Sequence, residues 1–255
     1  AGAGVLTISG TASDTNFSAL TAAVVDVTAA TLNGTSNFGS AIAEGDEFRF
    51  TAAQVTGKTI GGAGTKTITK LNADLDADLS NISSGTITAA FEDDGTFTGD
   101  LGSATVTVTD SKTMTAGYSV LNGKTINHDG SESGQALVIQ ITESDKAGDV
   151  GNVSGNIAKS ISFTESQTFT GNVQSLTSTI ENSVTVTAAA DEFDAKTVNG
   201  AGQLTLTGTG TGGTDLSNIS ADILDITGAN LSAGVTFAST ISSGDEIKAT
   251  AAQVT

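Results

Sequence analysis

Cysteine, proline and tryptophan are all missing from the 255 residues, and there is one arginine, one histidine, one tyrosine and one methionine. Without cysteine there are no disulfides, no zinc–thiolate sites and no thiol nucleophile. Average usage would place roughly a dozen prolines in a chain this long. Proline has no amide hydrogen for a sheet ladder, so its absence fits a backbone that is paired almost everywhere. Disordered segments are usually rich in proline, and this chain is 37% hydrophobic. Basic charge is scarce as well, 10 side chains against 28 acidic ones, a net charge of −18. Such a charge repels phosphate backbones and anionic lipid heads, which argues against nucleic-acid and membrane-surface partners. No apolar run approaches the roughly 18 residues of a membrane span, so no membrane insertion is expected. No charged n-region followed by an apolar stretch marks a signal peptide, and any such signal is expected outside this segment.

What is present is Thr, Ser, Ala, Val and Ile, with 31 glycines. Short period-2 runs dominate, among them Val5–Ile8, Val24–Val27, Phe48–Thr51, Thr65–Thr69, Ala104–Thr109, Leu137–Thr142, Leu204–Thr207 and Glu246–Thr250. Gly, Asn or Asp separates most of them, and no segment holds an apolar helical stripe. The Asn-Gly pairs at 33–34, 122–123 and 199–200 mark hairpins or solenoid corners.

The chain repeats itself. Residues 17–56 align without a gap on 216–255 at a constant offset of 199, and Thr51-Ala52-Ala53-Gln54-Val55-Thr56 returns unchanged as 250–255. Gly57-Lys58-Thr59-Ile60 reappears as Gly123-Lys124-Thr125-Ile126 and, altered, as Ala195-Lys196-Thr197-Val198. Asp78-Leu79-Ser80-Asn81-Ile82-Ser83 returns at 149–154 and 215–220. Four units of about 65 residues follow, near 1–62, 63–134, 135–200 and 201–255, in one continuous repeat domain. Ala1-Gly2-Ala3-Gly4 matches Gly61-Gly62-Ala63-Gly64, so the segment begins and ends near one phase of the repeat. With no terminal cap of its own, it reads as part of a longer repetitive chain.

Two all-β architectures compete. In a parallel β-helix, or β-solenoid, coils of about 20 residues would put three coils in each unit. In the alternative, tandem small β-sandwiches, each unit closes on itself. A 65-residue unit with few aromatics buries a low fraction of its surface alone, whereas stacked coils share one aliphatic core. The β-solenoid is therefore expected. Blocks such as Leu79-Ser80-Asn81-Ile82-Ser83 and Thr51 to Ile60, in an acidic chain rich in Thr, Ser, Ala, Gly and Asn, resemble repetitive bacterial surface proteins. That group includes β-strand-repeat S-layer proteins, giant adhesins and surface filaments. The resemblance implies an extracellular, cell-surface structural or adhesive role, often with calcium, and supplies no catalytic residues.

Asp74, Asp76 and Asp78 stand at alternate positions, which in a strand would aim all three to one side. Three carboxylates there repel one another unless a hard cation such as Ca²⁺ intervenes. Asp93, Asp94 and Asp100, with Glu92, form a second candidate calcium cluster. The competing reading of both is a solvated acidic face. Asn81, Asn152 and Asn218 share a phase, suited to left-handed corners, and each begins an N-x-Ser/Thr tripeptide. Lys58, Lys124 and Lys196 also share a phase and read as structural. Arg49 is expected to face outward, and His128 to sit in a turn.

Three functions are compatible with these observations: a self-associating structural segment of a surface layer or filament, whose partners are copies of itself; an adhesin stalk or binding module; and a β-helical polysaccharide enzyme. The last needs carboxylates roughly 5–10 Å apart and sugar-stacking aromatics along a cleft. Without Trp and with a single Tyr that cleft is poorly supplied, so the chain reads as a non-enzyme.

Overall fold

The computed structural model describes residues 2–17, 20, 22–33, 36, 38, 42–130, 134–210, 213–231, 235–238 and 241–253. It is all-β, with 51% of residues in strands and 10% in helices, and its sheets are parallel: a β-solenoid of about 11 turns. Parallel pairing decides against tandem sandwiches, which are built from antiparallel sheets. Of the Asn-Gly pairs, those at 122–123 and 199–200 accordingly make no hairpins, and Gly34 of the third lies outside the described residues. Asn122-Gly123 is a turn after a helix, and Asn199-Gly200 lies inside a strand.

Two compact units are present, one made of Ala1–Ala116, Gly123–Leu137 and Val153–Ala158, the other of Gly117–Asn122, Val138–Asn152 and Lys159–Thr255. The first holds β1 (Gly2–Ser13), β2 (Ala22–Asn33), β3 (Glu47–Thr51), β4 (Thr65–Thr69), β5 (Ile87–Phe91), β6 (Gly95–Phe97), β7 (Thr105–Val108), β8 (Thr113–Gly117, through Ala116) and β9 (Ile126–His128). The boundary falls within β10 (Ala136–Ile141) and β11 (Ala158–Phe163). The second unit continues with β12 (Gln167–Thr168), β13 (Thr177–Ile180), β14 (Thr185–Ala189), β15 (Val198–Gly210), β16 (Asp215–Leu216), β17 (Ile219–Leu231), β18 (Thr236–Phe237) and β19 (Glu246–Lys248).

In the first unit one ladder runs β1-β2-β3-β4-β5-β7-β9. Glu47 pairs Thr65, Lys66 pairs Ile87, Thr88 pairs Thr105 and Val106 pairs Ile126, so each coil takes 17 to 21 residues. Successive side chains in a strand point to opposite faces, and stacking in register lines like residues into columns. The inward column Phe50, Ile68, Ala89, Val106, Ile126 is buried throughout. Outward, Thr67 pairs Arg49 on one side and Thr88 on the other. The second unit repeats the arrangement with Val186, Leu204, Leu224 and Ile247 in one inward column. Each fully buried aliphatic contributes about 1.5–3 kcal/mol. A coil obtains that only with neighbours above and below it.

Phenylalanine carries more of the core than its count suggests: nine of the ten are buried. Phe17 stacks on Phe38 at 5.1 Å, and Phe38 meets Phe50 edge-on at the same distance. In the second unit Phe163 packs edge-on against Phe169 at 5.2 Å.

The two recurring sequence markers prove to be neighbouring rungs of one column. Ile60 bridges Ile82, Thr125 bridges Ser154, and Val198 pairs Ile219. Thus Gly-Lys-Thr-Ile lies on the coil next to Leu-Ser-Asn-Ile-Ser, and the backbone N–H groups of Ile60 and Val198 donate to the carbonyls of Asn81 and Asn218. The asparagines do not take the left-handed corners. Among the described non-glycine residues those go to Asp14, Lys70, Ser84, Ser111, Gln174, Ser183 and Ala195. Asn81, Asn152 and Asn218 remain exposed on the rung itself.

Candidate functional site

The six predicted metal-ligating carboxylates are spread over two coils, and five of them are engaged by hydrogen bonds or an ion pair. Residues 74–76 form a bend and turn after a 3-10 segment, Leu71–Ala73, so the alternation of Asp74, Asp76 and Asp78 does not put them on one strand face. Asp74 Oδ2 accepts from Thr56 Oγ1 at 2.7 Å. Asp78 bridges Asp100 in parallel, yet each carboxylate turns back to its own loop: Ser80 N–H donates to Asp78 Oδ1 at 2.9 Å and Gly102 N–H to Asp100 Oδ1 at 2.8 Å. The Ser80 hydroxyl and amide together hold the Asp78 carboxyl below its usual range. Asp93 pairs with Lys112 Nζ at 2.7 Å, and that hydrogen bond lowers its carboxyl in turn. Asp94 accepts from Thr113 N–H. Among the described residues no group of three or more His, Cys, Asp or Glu converges as a metal site. The donor set therefore does not fit the seven-or-so oxygens calcium takes.

Sequence reasoning missed the most unusual side chain, Lys66. It sits on an inward position of β4 between Phe48 of β3 and Ile87 of β5 and is fully buried. Its ammonium donates to the carbonyls of Gly62, of Gly64 at 3.2 Å, of Ser83 at 3.3 Å and of Ser84 at 2.6 Å. Burial pushes its pKa down. The signal that would have found it is the break in period-2 alternation, a lysine where Phe50, Ile68 and their like belong. A cage of neutral carbonyls solvates charge but supplies no acid, base or nucleophile partner. Its chemistry is that of a fastener between coils.

The duplicated run Thr51 to Thr56 is a second fastener. Ala52–Val55 form a single helical turn, α1, with a reciprocal capping box: Gln54 Oε1 accepts from Thr51 N–H at 2.8 Å. Gln54 Nε2 then reaches the preceding coil, donating to the carbonyls of Val27 at 2.7 Å and Ala30 at 2.6 Å. Gln253 does the same in the matching coil, to Ile226 at 2.6 Å and Ala229 at 2.7 Å, with Thr250 N–H on its Oε1. A pair of Asp turns recurs with them. Thr28 donates through Oγ1 and N–H to Asp26, as Thr227 does to Asp225, and those hydroxyl bonds lower both carboxyl pKa values. Arg49 lies outward as expected; it is half-buried and forked onto Glu47 at 2.9 and 3.0 Å. That bond holds the Glu47 carboxyl below its ordinary value.

The remaining predicted positions are structural in their contacts. Lys124 Nζ donates to the carbonyl of Gly102 on the neighbouring coil. The Lys58 and Lys196 amides close turns onto Val55 and Phe193. His128 is the last residue of β9, paired with Val108, and not a turn residue as expected; its Nδ1 accepts from Gly130 N–H at 2.9 Å as the chain leaves the strand.

A cleft of about 320 Å³ opens on the last coil of the second unit, with Leu224, Phe237, Ile241 and Ile247 among its lining. Ile241 is 55% exposed there, whereas its counterpart Ile42 is 1% exposed under the following coil. No known protein-family model matches the chain, and comparisons with curated proteins and with solved structures give no match either.

Proposed function

We propose that the chain is structural material: a self-associating repeat segment of an extracellular bacterial surface layer or filament, with copies of itself as partners. One observation carries the reading. What the sequence repeats most faithfully is the apparatus that ties one coil to the next, Gln54 and Gln253 with the same capping turn and the same two carbonyls 24 and 27 residues back. Duplication of fasteners, each solenoid coil depending on its neighbour, suits a part whose product is extent and stiffness. The paired backbone and the charge of −18 suit a molecule that stays soluble until it meets its own kind.

The test is imaging of the purified chain by negative stain across a concentration series, together with antibody labelling of intact producing cells. Ordered sheets or fibres and surface label are the expected results. Isolated particles at every concentration would favour a stalk and overturn self-association. Label confined to the cell interior would overturn the surface role.

A further inference from the structure

We propose that the outward face of β4, β5, β7 and β9 in the first unit binds the surface of an ice crystal. This face lies within the ladder, where β4, β5 and β7 each have a paired strand on both sides. Threonine fills it. Thr65, Thr67 and Thr69 stand outward on β4, Thr88 on β5, and Thr105 and Thr107 on β7, each half-buried and alternating with buried residues. Ladder pairing joins Thr67, Thr88 and Thr105 into one column and Ala90, Thr107 and Asn127 into the next. No outward position on these four strands is charged, in a chain of net charge −18. A face kept only for solubility mixes charges of both signs. Charge returns on the neighbouring rung, with Glu47 and Arg49 of β3. In the second unit a similar column, Thr187 and Thr205, runs directly into Asp225 and Lys248.

Spacing names the occupant. Neighbouring parallel strands lie about 4.8 Å apart and alternate residues of one strand about 6.6 Å apart, so the threonines form a rectangular lattice. Water in ice is joined tetrahedrally at O···O distances of about 2.75 Å. That geometry puts like oxygens about 4.5 Å apart along one axis of a prism face and about 7.3 Å apart along the other. From β4 to β7 the first mismatch accumulates to roughly 0.6 Å, and the second is about 0.7 Å between adjacent columns. A turn of about 30° in χ1 moves a hydroxyl that far. Such a lattice also needs a straight ladder. The pairings from β3 through β9 run without a register shift, whereas shifts interrupt β1 on β2 and β15 on β17.

The hydroxyls are available and already ordered. Those of Thr65, Thr88, Thr105 and Thr107 have no hydrogen-bond partner among the described residues, while Thr67 donates to Glu47 and Thr69 to the Phe50 carbonyl. Branching at Cβ restricts χ1, so little side-chain freedom is lost when a rigid surface arrives.

The experiment is ice-affinity partition: the 255-residue chain in dilute solution meets a slowly growing ice hemisphere, and protein is assayed in the ice and in the remaining liquid. Two variants are compared with the parent. Thr88→Lys combined with Thr105→Lys raises long charged side chains from the middle of the face. Thr96→Lys makes the same change at an exposed position of β6, in the other sheet. Thermal unfolding is the folding control. The parent and Thr96→Lys are expected to enter the ice, and the ice-bound fraction of the double variant to fall more than about tenfold with a matching melt. If the double variant melts early, Thr88→Lys alone is read in its place. Exclusion of the parent from ice, or entry of the double variant at the parent's level, overturns the assignment. A parent excluded from ice but retained on powdered crystalline chitin, and released from it by the same double substitution, gives the face to a polysaccharide crystal and overturns ice.

Discussion

Lys66 shows how a single side chain can break the local rule of a fold and still be held by it. Removing an ammonium from water costs several kcal/mol, and four carbonyls return part of that. Lys66→Ala deletes the stem as well as the head, and its expected cost is about 2–5 kcal/mol, as for other large-to-small core changes. Lys66→Met keeps the stem, relieves the desolvation and leaves the carbonyls of Gly62, Gly64, Ser83 and Ser84 without their donor. The two effects oppose, so Lys66→Met is expected within about 1.5 kcal/mol of the parent. Urea unfolding of both variants checks the difference. Because burial lowers the folded pKa of Lys66, the unfolded chain binds the extra proton between that value and about 10.4, and stability rises with pH across that window. Lys66→Met should flatten the alkaline rise in the melting midpoint.

At the level of the element, the single-turn helix α1 is too short to be stable by itself, since isolated helices need some 12–15 residues. Its capping box and the reach of Gln54 to the preceding coil hold it. Gln54→Glu keeps the cap acceptor for Thr51 N–H but replaces the donor facing Val27 and Ala30 with a carboxylate oxygen. A loss of about 1–3 kcal/mol is expected at neutral pH, partly restored as pH falls and the carboxyl regains a proton to donate. Gln253→Glu, in a coil open to water, should cost less because water can serve the Ile226 and Ala229 carbonyls. Melting curves of the two variants at pH 7 and pH 4.5 give the comparison. Equal losses would show that the following coil adds nothing to this fastener.

For the whole molecule, charge sets the environment in which the coils stay stacked. With a net −18, self-repulsion is screened over about 10 Å at 0.1 M salt, so the melting midpoint should rise with ionic strength. The six aspartates predicted as calcium ligands do not converge, so CaCl₂ and NaCl at equal ionic strength should raise it alike. An excess rise with millimolar Ca²⁺ that EDTA reverses would show a site built in some other way. Acid acts in the opposite sense. Asp26, Glu47 and Asp225 have carboxyl pKa values lowered in the fold by hydrogen bonds. Their stabilisation is complete above the unfolded values near 4 and is lost as pH falls through the folded values. The midpoint should therefore decline below about pH 5 even as the net charge shrinks, and Thr28→Val, which takes the hydroxyl donor from Asp26 and leaves the amide, should weaken that decline.

Composition and periodicity by themselves determined the class. Absent proline, period-2 runs and the offset of 199 required a repetitive all-β chain, because a strand pattern and an internal repeat are local properties that any fold of this sequence must honour. Core-size reasoning reached the solenoid for the same reason: a 65-residue unit with few aromatics buries a low fraction of its surface alone. What only the tertiary structure decided was which residues share a column. Nothing in the linear order says that Ile60 and Ile82 touch, that Ile87–Phe91, diluted by Ala89 and Ala90, is a strand between two others, or that Asp74 and Asp76 lie in a turn. Coil length varies by several residues, and the register of a parallel ladder follows from that length, not from the strand sequence. A lysine could take an aliphatic position in the core only because the chain brought four carbonyls to meet it.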